Sequence, residues 1–296
     1  MTESSVLNLL VLSCILAWGV VGIVDKLALE QVSYKAFVLA VYAFSLPTAG
    51  VVGLVAFATQ PRSALSPEVI FWSACAAAAQ FFSLLLYLKA MSRLEASFVI
   101  GITAAYPMIT QLIAASALGE SLWGTRLAGA ALIGVGITAI AVSQKSNLTG
   151  NGNIRVIGCV VLCTLLWSVV GIFDKKAVAC SSALGAYYAK CLCNLVLLAM
   201  ALAWLYYKRA LPSFASLKLW QFASLSALLM TIGNLAYIEA LALAPASYVI
   251  VITGCYPVVM YACALVFLKE RLNVKRLSGV CVIVLGAVLT QLTQSL

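Results

Sequence analysis

Histidine is absent from this 296-residue chain, which excludes a histidine proton relay and any histidine-ligated metal. Charge is scarce as well. Asp, Glu, Lys and Arg make up 9% of the residues, against roughly 25% in a soluble domain. Long polar stretches that could form a separate soluble domain are missing too. What remains is 64% hydrophobic, with a mean hydropathy of +1.10, and such a chain could not keep a wet surface. It reads as an integral membrane protein. The formal charge of +9 is then no nucleic-acid footprint, because the bases lie mostly between apolar runs, where they set orientation and meet anionic headgroups. The first five residues carry no Lys or Arg and the apolar run from Val6 is long enough to span, so no cleavable signal peptide is expected. The ten cysteines have neither metal nor disulfide spacing; most lie in apolar runs as small hydrophobes. No cofactor and no metal are expected.

What the chain does contain, it contains twice. Trp18 to Lys26 (WGVVGIVDK) returns as Trp167 to Lys175 (WSVVGIFDK), identical at seven of nine positions. Tyr87 to Pro107 aligns with Tyr237 to Pro257, identical at ten of twenty-one. Glu120 and Arg126 match Glu270 and Arg276, and Gly129 and Gly136 match Gly279 and Gly286. The offset of 149 to 150 residues divides the chain into a first repeat over 1–146, a linker at 147–153 and a second repeat over 154–296.

A spanning helix needs about 20 mostly apolar residues. Ten such runs are expected, at 6–24, 36–59, 68–88, 96–118, 124–143, 155–173, 184–207, 217–238, 246–268 and 275–294. The fold class is therefore an all-α polytopic membrane protein of ten transmembrane helices in two five-helix repeats. Five is odd, so the second repeat must enter the membrane from the side opposite to the first. Inverted repeats of this kind mark secondary transporters, with the substrate site near the midplane between the halves.

The residues that repeat resemble a known pattern. Trp18, Gly19 and Lys26, Trp167 and Lys175, Pro107 and Pro257, and Glu120 and Glu270, in this order and spacing, are similar to the EamA family of the drug/metabolite transporter superfamily. The resemblance covers nearly the whole chain. It implies a central cavity between the halves and transport of a small metabolite by alternating access, export being the commoner direction. It implies a multi-pass protein of a bacterial inner (plasma) membrane with cytoplasmic termini. The bases argue the other way: one set of loops holds Arg62, Arg126, Lys175 and Lys176 while the opposite set holds thirteen, which by the positive-inside rule puts both termini outside.

Several residues are candidates for cavity walls. Trp18 and Trp167 lie about twelve residues into their spans, near the midplane, where tryptophan is unexpected; they are either an aromatic wall or packing between the halves. Lys190 is the one charge inside an apolar run, and its match in the first repeat is Val41. An intramembrane charge is functional by default, unless it snorkels to an interface. With Tyr187 before it and Asn194 one turn on, Lys190 suits a carboxylate on a substrate. Gln80, Ser83 and Tyr87 form one polar stripe, and Asn234 and Tyr237 form its counterpart. Tyr106–Pro107 and Tyr256–Pro257 break their helices and are hinges or walls. Asp25, Lys26, Asp174 and Lys175 lie at the far ends of the first and sixth spans, as anchors or gating ion pairs. No acid precedes Asp25 or Asp174 there, so a lipophilic-cation/proton antiporter is disfavoured by comparison with cation exporters of the wider superfamily. The glycines of the fifth and tenth spans, and Glu120 and Glu270 in the turns before them, read as structural.

The expected function is carriage of a small polar or amphipathic metabolite, an amino acid or related carboxylate first, by one half rocking against the other. The alternative is a broad-specificity exporter of aromatic or drug-like compounds, favoured by a mostly aromatic cavity. An enzyme is not expected, since no nucleophile–base pair lies at membrane depth. A channel or scaffold would not need broken helices at both matched positions. The partners are the lipid bilayer and a small-molecule substrate; a complete repeat pair suits a working monomer, with a homodimer as the other arrangement.

Overall fold

The computed structural model describes residues 3–59, 65–94, 99, 102–103, 105–120, 124–142, 151–267 and 274–292. Glu270, residues 95–98 and 100–101 at the start of the fourth expected span, and 143–150 in the linker region lie outside them. Among the described residues every regular element is a helix. They are α1 (Glu3–Leu29), α2 (Tyr34–Ala43), α3 (Ser45–Thr59), α4 (Pro67–Met91), α5 (Tyr106–Leu118), α6 (Gly124–Val142), α7 (Asn151–Ala179), α8 (Ala183–Tyr207), α9 (Leu217–Leu243), α10 (Ala246–Thr253), α11 (Tyr256–Phe267) and α12 (Val274–Leu292).

Local chemistry explains where these helices start and break. Ser33, Ser66 and Ser182 each accept the amide N–H three residues on, at Ala36, Val69 and Gly185, which satisfies an orphan donor of the first turn. Ser33 and Ser182 are matched positions of the two repeats. The expected span 36–59 is divided into α2 and α3 at Phe44, where Pro47 cannot donate to the carbonyl of Ala43. The span 246–268 is divided into α10 and α11 at Gly254 and Cys255, just before Tyr256–Pro257. Pro107 occupies the same place at the start of α5.

Among the described residues seven stretches are long and apolar enough to cross a membrane: Glu3–Leu29, Tyr34–Thr59, Pro67–Met91, Arg155–Ala179, Ala183–Tyr207, Leu217–Leu243 and Ala246–Phe267. Shorter apolar helices lie at Tyr106–Leu118 and Leu277–Gly286. Their outer faces are bare: Leu46, Val51, Leu54, Val196, Met200 and Val266 are all more than half exposed. In water such faces would aggregate; in lipid they are solvated.

The two repeats do not form separate lobes. The main helix contacts all join one repeat to the other: α6 to α12, α4 to α7, α1 to α9, α4 to α8, α1 to α11, α3 to α8 and α5 to α7. They come in matched sets, the first helix of each repeat packing on the third and fourth spans of the other. The glycines of α6 and α12 explain one such contact. A Cβ on Gly136 would strike the carbonyl of Gly279, and one on Gly286 would strike that of Gly129, so these helices cross backbone to backbone. The structural role expected of those glycines is, here, packing between the halves.

Candidate substrate cavity

Two aromatic triads form the centre of the molecule. The Trp18 ring lies 5.2 Å from Tyr237 and 6.3 Å from Tyr256. The Trp167 ring lies 5.2 Å from Tyr87 and 6.0 Å from Tyr106. The three positions of each triad match under the repeat, and each tryptophan packs on tyrosines of the opposite copy. These tryptophans join the halves and also line a cavity.

That cavity has a volume of about 170 Å³, where one water needs roughly 10–15 Å³ on such a measure. Its walls include Trp18, Gln80, Tyr87, Tyr106, Trp167, Tyr187, Lys190, Asn194, Asn234, Tyr237 and Tyr256, together with Asp25 and Asp174. Nine of its 27 lining residues are aromatic, so its lining is amphipathic rather than mostly aromatic. Ser83 is the candidate the structure moves out of the wall. It is fully buried, and its hydroxyl donates to the Gln80 carbonyl at 2.9 Å. Pro107 and Pro257 lie behind their tyrosines; a Cβ on Gly254 would come within 2.6 Å of the Pro107 ring, so the two helix breaks abut.

The charged residues differ most from the expectation. Asp25 and Asp174 are 1% and 3% exposed and face the cavity. The reason is length: α1 continues to Leu29 and α7 to Ala179, several residues past the expected ends, so neither acid is at a helix terminus. Lys26 and Lys175 turn the other way. Lys26 Nζ donates to the Met91 carbonyl at 3.2 Å, and Lys175 Nζ to the carbonyls of Leu241 and Ala244. Each lysine thus satisfies the C-terminus of the neighbouring third span, where a cation is favoured. The adjacent Asp–Lys pairs do not solvate themselves.

Lys190 does not snorkel. It is 3% exposed, and Nζ donates to Asp174 Oδ2 at 2.8 Å and Oδ1 at 3.0 Å. Its charge is already matched, which removes the ground for reading it as a free receptor for a substrate carboxylate. Asp25 instead accepts a hydrogen bond from the Ser226 hydroxyl at 2.8 Å. Among the described residues, Trp18 Nε1 and Asn194 Oδ1 in the wall are buried without a hydrogen-bond partner.

Glu120 also departs from expectation. Its carboxylate accepts the amide N–H of Ala246 at 2.8 Å and of Ser247 at 2.9 Å. It therefore caps α10 of the other repeat rather than the helix that follows it in sequence. Pro245 at the N-cap of α10 has no side-chain acceptor to offer, so the cap comes from across the interface. Arg126 adds a bond from Nη1 to the Ser247 hydroxyl at 3.3 Å.

Sequence reasoning missed Tyr42, Thr48, Ser226 and Thr231. Tyr42, Thr48 and Thr231 line the cavity, and the two threonine hydroxyls lie 3.4 Å apart. The signal for Thr48 was one turn beyond Asn194's match: a polar residue in an apolar run just after Pro47.

A bundle of lipid-facing helices around an amphipathic cavity built equally from two repeats is the architecture of a membrane transporter. The EamA-like transporter family model matches residues 6–142 and again 154–292, and the chain belongs to that family. It is accordingly a multi-pass membrane protein of a family of transporters, not enzymes. No curated protein matches the chain. The solved structures similar in fold include a crystal structure of a protein with a TM-score of 0.74 and 18% identity, covering 99% of this chain and 98% of the other.

Proposed function

We propose that this chain is a secondary-type carrier that moves a small amphipathic solute through the central cavity by alternating access, with export as the expected direction. The supporting observation is the matched pair of cross-repeat aromatic triads around one cavity. A site shared by two pseudo-equivalent walls can be opened from either side by the same motion. Ten spans in two inverted repeats is the topology that suits this reading. The moving bodies are not the sequence halves, because those interdigitate. They are mixed groups, α1 with α9 and α11 on one side and α7 with α4 and α5 on the other. The cavity lining favours a solute with an apolar body and one polar end over a fully ionic metabolite.

The test is solute counterflow in proteoliposomes. Saturable uptake that is accelerated by the same solute inside supports a carrier; uptake that rises linearly without counterflow contradicts it.

A further inference from the structure

The two repeats treat their matched acids differently. Asp174 is neutralised by Lys190. In the first repeat the position of Lys190 is held by Val41, which also lines the cavity, so that position supplies Asp25 with no counter-ion. Among the described residues Lys190–Asp174 is the one ion pair, and Lys26 beside Asp25 is turned to the Met91 carbonyl. What Asp25 has instead is Ser226, where the matched residue in α4 is Ala76. A hydroxyl supplies one hydrogen bond and no charge. A carboxylate removed from water needs a cation to remain ionised, and the cavity is the space beside it.

A second observation has the same sense. Asn194 Oδ1, on the cavity wall, is a buried acceptor with no donor among the described residues. An ammonium is a donor only, with three N–H groups and a positive charge; a carboxylate ligand offers neither. Trp18 and Asp25 lie seven residues apart on one face of α1, about 10 Å along the axis, so an apolar body can rest on the indole while its charged end reaches the acid.

We infer that Asp25 anchors the amine of the transported solute, an ammonium carried on an apolar, ring-sized body. This rests on the cavity being the solute site, and it reverses the sequence-based expectation against cationic substrates. The asymmetry of the repeats gives the cavity one fixed ion pair and one carboxylate whose counter-ion is the solute.

Calorimetric binding to the purified full-length protein tests it with a matched series: tryptamine, neutral 3-ethylindole and indole-3-propionate. Tryptamine should bind roughly 10- to 100-fold more tightly than 3-ethylindole, with indole-3-propionate weakest. In Asp25→Asn, tryptamine should fall to the level of 3-ethylindole, whose own binding reports that the variant is folded. Asp25→Glu should restore the preference for the amine. Equal binding of all three, tightest binding of indole-3-propionate, or an amine preference that survives in Asp25→Asn overturns the inference while leaving the cavity as a solute site. Failure of all three to saturate overturns the inference and the cavity reading together.

Discussion

Lys190 and Asp174 show how far single residues can be read. A lysine within an apolar run is conspicuous, and burial of its side chain follows from the run around it. Its partner is not conspicuous, because Asp174 sits sixteen residues earlier beside another lysine and looks like part of a helix end. Only the continuation of α7 to Ala179 and its contact with α8 bring the carboxylate inward. Removing one member of such a pair leaves an uncompensated buried charge, which costs about 3–5 kcal/mol, whereas removing both is often neutral. Lys190→Met should therefore lower the thermal unfolding midpoint in detergent strongly, and Lys190→Met with Asp174→Asn should recover most of the loss. A double variant as unstable as the single one would mean that the lysine acts through something other than its ion pair.

At the scale of elements, start and stop signals were legible and trans caps were not. The serines before α2, α4 and α8 and the prolines at the breaks are local features, visible in the sequence. Glu120 also looked local, an acid in a turn before a helix. Its actual target is α10, 126 residues on, because Pro245 leaves that helix without a cap of its own. Glu120→Ala should cost about 1–2 kcal/mol, seen as a lower unfolding midpoint, and Glu120→Gln, which keeps one acceptor, less. The abutting helix breaks give a second prediction. A larger side chain at Gly254 meets the Pro107 ring, and overpacking of this kind costs about 1–3 kcal/mol. Gly254→Val should thus destabilise the protein and slow solute exchange. Flux and stability both at the wild-type level would show that the two breaks move independently of one another.

For the whole molecule, the duplication was fully legible, and from it the matched aromatic pairs and the central cavity. What identity between repeats cannot reveal is which copy a residue touches. Trp18 and Tyr87 belong to one repeat in sequence, yet each packs on the other repeat's aromatic residues. We therefore propose motion of mixed helix groups in place of one half rocking against the other. The central claim is that one cavity faces the two sides of the membrane in turn. The most direct test is labelling of Thr48→Cys, in the cavity wall, within a chain whose ten native cysteines are replaced. Reconstituted protein is treated with a membrane-impermeant maleimide from either side. The account predicts labelling from both sides of the same oriented population, slowed from both by a transported solute. Labelling from one side only, unchanged by a solute that the protein carries, would contradict it.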